Sequence, residues 1–216
     1  MHEITEEIQL ENQWRESEFA RFKTNPDKVN DNLWNRMCVP MIYAHWEGYV
    51  HSSIKILIKY LNKKKLQSSE VKTKLLVQSL NKSYGFLSGK QSFTQRLQFT
   101  ENFEKLLVNE FYIEAKVDTK SNLKAAVLND ICIGFDFNFE IFSPQSPVID
   151  RLVHVRNAIA HGQNSYVLTN ENIQNFITAV QKNSDCLLAE IESFLLEEKY
   201  LKTKVEVHRV TPTQPL

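Results

Sequence analysis

An all-α bundle is the fold this sequence predicts, and three observations carry the prediction. Glycine and proline are scarce, 5 and 6 in 216 residues, so turns are few for the length, which favours long helices over many short strands. Apolar residues recur at three- and four-residue spacing through several long runs, as on the buried stripe of an amphipathic helix. The one segment that alternates aromatic and polar residues, 135–147, is broken by Asn138, Pro144 and Pro147 and reads as a loop with a short extended piece.

Taken in order, residues 3–23 form a first helix with Ile4, Ile8, Trp14 and Phe19 among many Glu and Arg, ended by the turn signal Asn25-Pro26-Asp27. A long apolar-rich helix follows from about Asp31, carrying Leu33, Met37, Met41, Ala44, Ile54, Leu57, Ile58 and Leu61. Pro40 lies inside it and predicts a kink or a break. Lys63, Lys64 and Lys65 close it with cations that suit its negative C-terminal end. Ser68 or Ser69 offers a cap for a helix to about Asn81, built on Leu75, Leu76 and Leu80. After a loop marked by Gly85 and Gly89, residues 92–114 read as a helix burying Phe99, Phe103, Leu106, Leu107 and Phe111. Ser121 caps a short helix that Gly134 ends. A helix from Val148 to His161 follows, with Gly162 as the residue past its end, and Thr169 or Asn170 then caps a last long helix to about Tyr200. Residues 1–200 are thus one domain, with a segment of unassigned role at about 66–120 and a tail, 201–216, that should fray.

Composition bounds the function. Hydrophobic residues at 42% and charged residues at 24% are the balance of a soluble globular domain with a sizeable core. The formal net charge is +0, from 26 basic and 26 acidic side chains, so any nucleic-acid contact must come from a local patch or from oligomerisation. Cys38, Cys132 and Cys186 are isolated, which indicates neither a zinc site nor a disulfide framework. The acidic start lacks an apolar stretch of signal length, and no membrane-length apolar run occurs, so a cytoplasmic location is expected. There is no Gly-rich phosphate loop, serine nucleophile elbow or HExxH. His45 and His51 fall on different helix faces, which does not support a two-histidine metal site, and no cofactor is expected.

The stretch with chemical content is residues 152–162, where Arg156, Asn157 and His161 stand within one and a half helical turns ahead of Gly162. On a wheel, Val148, Leu152, Val155 and Ile159 form the core stripe, and Asp150, His154, Asn157 and His161 line the opposite side. Arg156 lies between the two, beside Val153 and Ala160.

Arg156-Asn-Ala-Ile-Ala-His161 resembles the hallmark of the HEPN superfamily, an Arg followed after four to six residues by His, with a polar residue directly after the Arg. The segment Tyr43-Ala-His-Trp-Glu-Gly-Tyr49 is similar to one branch of stand-alone HEPN proteins of prokaryotic toxin and defence systems. The resemblance covers roughly residues 31–197 and implies a HEPN-type helical bundle with extra helices inserted between the central ones. It implies a metal-independent endoribonuclease in which the RNA 2′-hydroxyl attacks the adjacent phosphate, with a toxin–antitoxin or phage-defence role and an antitoxin or other defence partner. His161 would then transfer protons, Arg156 would bind phosphate, and Asn157 would orient either. One histidine per chain implies a homodimer with facing motifs, and Val153 and Ala160 fit that seam. Two plainer readings stand beside it. In one, Arg156 and His161 only satisfy the helix end; in the other, the chain is a catalytically silent module that binds RNA or a partner protein. Glu47 either reaches Arg156 or bonds Tyr and Trp groups of its own bundle.

Overall fold

A computed structural model describes residues 2–24, 31–80, 84, 89–163 and 165–203. Among these residues there are seven α-helices and no strand: α1 (Glu3–Thr24), α2 (Asp31–Lys63), α3 (Thr73–Ser79), α4 (Phe93–Val108), α5 (Ala125–Phe135), α6 (Ser146–Ala160) and α7 (Asn170–Leu196). The all-α prediction holds. The turn expected at 25–27, the helix end at Asn81, the loop glycine Gly85 and the tail from residue 204 lie outside the described residues.

Four helices make the core. α2 runs through the middle and packs on α1, α6 and α7, while α1 and α6 each also pack on α7. The central positions are apolar and fully covered: Ile42, Trp46, Val50, Ile54 and Leu57 of α2 against Ile8 of α1, Leu152 and Val155 of α6, and Phe176, Leu187 and Phe194 of α7. Such burial stabilises by roughly 1.5–3 kcal/mol per large side chain. That outweighs the single lost hydrogen bond and ring clash at Pro40, worth about 3 kcal/mol, so α2 passes through Pro40 without the expected break. The aromatic cluster is core: Tyr43, Trp46 and Tyr49 are all buried.

α1 is fixed to α2 by a buried polar contact. The His45 ring stands between Phe19 and Trp14, with Nε2 at 2.9 Å from Glu18 Oε2 and Nδ1 at 3.3 Å from Arg15 Nη1. An imidazole that donates to a carboxylate and accepts from a guanidinium is neutral. Burial, reinforced by Arg15, lowers its pKa against the opposing pull of Glu18.

The middle of the chain departs from expectation. The Ser68 hydroxyl donates to the Asn109 carbonyl (3.1 Å) and so does not cap; α3 begins at Thr73, after a bridge between Val71 and Leu201. That bridge, with the Lys202 N–H bonded to the Glu70 carbonyl, ties down the first residues of the expected tail. α4 ends at Val108 and buries none of its residues; Phe103 and Leu107 are exposed, and Phe111 is buried only after the helix has ended. The cap position of α5 is Lys124 rather than Ser121; Lys124 makes no side-chain cap, and the Asp150 carboxylate of α6 accepts the Ala125 N–H at 2.8 Å instead. It runs through Gly134 and stops at Asp136, which takes the left-handed conformation (φ 62°). Residues 139–145 are two 3-10 turns instead of an extended piece.

Asp136 is held by Lys72 and Lys74, which draw its pKa down to about 2 from 3.8. A depressed carboxylate pKa stabilises the fold above about pH 4, and that stability is lost as pH falls from 3.8 towards 2. All three groups are partly exposed, so screening limits the contribution to about 1 kcal/mol. Asp136→Asn is therefore expected to lower the melting temperature by a few degrees at pH 7 and to differ little from wild type at pH 2, as read by circular dichroism. An equal deficit at both pH values would show that the ion pairs do not supply it.

Candidate functional site

α6 is buried on two sides, between α2 and α7. Its covered residues are Ile149, Leu152, Val153, Val155 and Ala158, a wider stripe than the one the wheel selects; Val148 and Ile159 are only partly buried. Val153 has no exposure and belongs to the core, which removes it from any seam between chains; Ala160 is exposed.

The helix closes as expected. The Gly162 N–H reaches the Ile159 carbonyl and the Gln163 N–H reaches Ala158, with Gly162 left-handed at φ 74°. This paired closure needs a residue without a Cβ penalty at that position. It leaves His161 as the last residue of the turn, with its backbone N–H on the Asn157 carbonyl and its side chain exposed. Among the described residues the imidazole has no hydrogen-bond partner. The Arg36 guanidinium of α2 holds the Gln163 carbonyl at 3.0 Å, which fixes the chain just beyond His161.

Arg156 lies flat on the Tyr43 ring of α2, its guanidinium carbon 3.7 Å from the ring centre. Nη2 donates to the Ser121 carbonyl at 3.0 Å, and Nε is buried without a partner. The Asn157 amide donates to Asn122 Oδ1 at 3.2 Å. Both side chains therefore grip the turn ahead of α5, where Lys120 and Ser121 are left-handed (φ 54° and 47°). Below them, the Tyr43 hydroxyl accepts the Leu123 N–H (3.0 Å) and donates to Glu47 (3.0 Å), and the Thr119 hydroxyl donates to the same carboxylate oxygen (2.7 Å). Glu47 bonds Tyr43 and Thr119 and, among the described residues, makes no hydrogen bond to Arg156. Asp150 caps α5, and His154 meets Tyr166 edge-on at 5.9 Å.

The structure therefore brings Arg156 and Asn157 together on one turn. At helical spacing His161 stands about 7.5 Å along the axis and some 140° around it from Arg156, and about 6 Å and 40° from Asn157. The Asn157 side chain bonds Asn122, and among the described residues no hydrogen bond joins it to His161. Sequence reasoning missed Tyr43 as the platform for Arg156, Ser121 as the anchor of Arg156 and Asn122 as the anchor of Asn157. The polar density of Asp118, Lys120, Ser121 and Asn122 in a short connector was the available signal.

Arg156 and Asn157 are half-buried and His161 is exposed. Two larger cavities, of about 560 and 780 Å³, lie between α1, α2 and α7 and around residues 112–120, and neither is lined by Arg156, Asn157 or His161. Among the described residues no group of His, Cys, Asp and Glu could hold a metal ion, and no helix is long and apolar enough to cross a membrane.

A family model described as RiboL-PSP-HEPN matches residues 10–193. The chain belongs to this family. The match begins in α1 and ends near the last turn of α7, so the RiboL-PSP-HEPN domain takes in the four-helix core and the whole of α6. Searches of curated proteins and of solved structures give no match. HEPN domains are commonly nucleases and often bind RNA and dimerise.

Proposed function

We propose that this RiboL-PSP-HEPN protein is a metal-independent endoribonuclease working at a site completed by a second copy, in a toxin–antitoxin or phage-defence setting. The observation that carries the reading is the exposed imidazole of His161, without a hydrogen-bond partner among the described residues, at a helix end closed by the Gly162 turn and five residues from a guanidinium over the Tyr43 ring. In this reading, the RNA 2′-hydroxyl attacks its own phosphate. One His161 removes the hydroxyl proton, the partner's His161 protonates the leaving 5′-oxygen, and Arg156 faces the phosphorane charge. Stacking on Tyr43 pre-organises the guanidinium and leaves Nη1 without a protein partner among the described residues. Asn157 acts at one remove, by holding the Asn122 turn against which Arg156 rests.

In this reading the seam for the second copy lies on α2. Leu33, Met37 and Met41 follow one another at i, i+4 and i+8, are 54, 58 and 46% exposed, and continue to the exposed Ala44. Arg36, beside Met37, reaches the carbonyl two residues past His161, so this stripe borders the site. Met37→Asp places a charge in that seam. It is expected to weaken self-association at least tenfold and to abolish RNA cleavage while leaving helicity unchanged, measured by light scattering and by cleavage of a total-RNA pool in EDTA. Full cleavage by a monomeric Met37→Asp protein would remove the composite site.

A catalytically silent module is the second reading. What favours it is that Arg156 and Asn157 both have structural employment on residues 121–122. It predicts RNA or partner binding that survives His161→Ala, and no cleavage by the wild-type protein.

A further inference from the structure

α6 and the residue that follows it carry Arg151, His154, Arg156 and His161 against one acid, Asp150, and that carboxylate already accepts the Ala125 N–H. The chain as a whole is neutral, and α7, packed beside α6, holds Glu171, Asp185, Glu190 and Glu192 against Lys182. The cationic side of α6 is therefore a local feature. Arg151, His154 and His161 are all exposed, and among the described residues none of the three side chains has a hydrogen-bond or ion-pair partner. They run along one side of the helix. Arg151 and His154 are neighbours across one turn, and His161 stands about 10.5 Å beyond His154 along the axis and within about 20° of it.

His154 has a second ring beside it. The Tyr166 ring, half-buried and resting on the core, meets the imidazole with 5.9 Å between centres and planes at 85°. The chain that carries Tyr166 is fixed on both sides from α2. Arg36 holds the Gln163 carbonyl before it, and Asn35 and Asn32 bond the Leu168 carbonyl (3.0 Å) and N–H (3.2 Å) after it. Two rings at right angles make a corner in which a planar group laid on one meets the other.

We propose that Arg151, His154 and Tyr166 form a substrate subsite beside the reacting phosphate. The corner of His154 and Tyr166 takes the base of the adjoining nucleotide, and Arg151 takes the next phosphate outward. The inference rests on the ribonuclease reading and extends it from the reacting atoms to the nucleotide alongside them. RNA is the occupant the row fits, because it answers both of its features. Cations spaced along a helix complement a phosphodiester chain, and an aromatic corner between them accepts an unstacked base of any identity. An acidic polypeptide would answer the cations and leave the rings without a planar partner.

The test is fluorescence anisotropy of a short labelled oligoadenylate with the full chain carrying His161→Ala, so that binding is read without cleavage. In that background Arg151→Ala is expected to flatten the slope of log affinity against log salt by about 0.7, the loss of one phosphate contact on a single strand. Tyr166→Ala is expected to weaken binding roughly five- to hundredfold, the range for one stacked base, and to leave the salt slope unchanged. His154→Ala weakens it on the same scale. Tyr166→Phe keeps the ring and is expected to bind like its parent, which separates lost stacking from lost fold. Lys105→Ala, at an exposed position of α4, which does not pack on α6, is the charge control and leaves affinity unchanged. In the cleaving protein, His154→Ala is expected to raise KM and spare kcat, whereas His161→Ala lowers kcat. Equal affinity in the Arg151, His154 and Lys105 variants, no oligoadenylate binding by any of the proteins, or tighter binding of polyglutamate than of oligoadenylate would each overturn the subsite. Binding lost in the Arg151 and His154 variants of a protein whose wild type cleaves nothing would sink the ribonuclease reading and leave the RNA contact standing.

Discussion

In EDTA the wild-type protein is expected to cut an RNA pool, and His161→Ala to cut it about 10²–10⁴-fold more slowly, the range for removing a general acid–base. Its stability should be unchanged, because the imidazole is exposed and has no hydrogen-bond partner among the described residues. Arg156→Ala is expected to lose activity on a similar scale and also about 1–3 kcal/mol of stability. It deletes the stack on Tyr43 and leaves the Ser121 carbonyl without its donor in a left-handed turn. Arg156→Lys is not a conservative rescue, since a point charge replaces a planar fork on an aromatic face. The pair of variants thus separates chemistry from scaffold: one loses rate alone, the other rate and melting temperature together. Equal cleavage by wild type and both variants would place the reaction elsewhere, and products ending in anything but a cyclic phosphate would exclude 2′-hydroxyl attack.

The ends of the last two helices were legible because their signals are local. Glycine directly behind an apolar-periodic run places the end of α6, and of the two caps offered for α7, Thr169 and Asn170, it is Thr169 that forms a capping box with Asn172. What could not be read is what crosses the chain. Asn157 reaches Asn122 and Arg156 reaches Ser121 over 35 residues of sequence, and no periodicity records such a bond. Val153 looked like an edge residue because a wheel ranks directions and does not count neighbours; with α2 on one side and α7 on the other, the covered arc widens to include it. α4 shows the converse. Its apolar spacing says which faces are greasy and is silent on what, if anything, covers them.

The weight placed on Tyr43 can be tested by separating its ring from its hydroxyl. Tyr43→Ala removes a buried aromatic side chain, worth about 3–5 kcal/mol, and strands the buried Leu123 N–H. For a chain of this size that lowers the melting temperature by roughly 6–20 °C. It also takes away the surface on which Arg156 is spread, so at a temperature where the variant is still folded its cleavage rate should fall as far as that of Arg156→Ala. Tyr43→Phe keeps the ring under the guanidinium and gives up the bonds to Leu123 and Glu47. It is expected to cost about 1–3 kcal/mol and to leave cleavage near the wild-type rate. A Phe variant as inactive as the Ala variant would mean that the Glu47–Tyr43 hydroxyl pair, rather than the flat ring, positions Arg156. In that case the 119–123 turn becomes the part of the site on which activity depends, because Thr119 and Leu123 are what that pair holds.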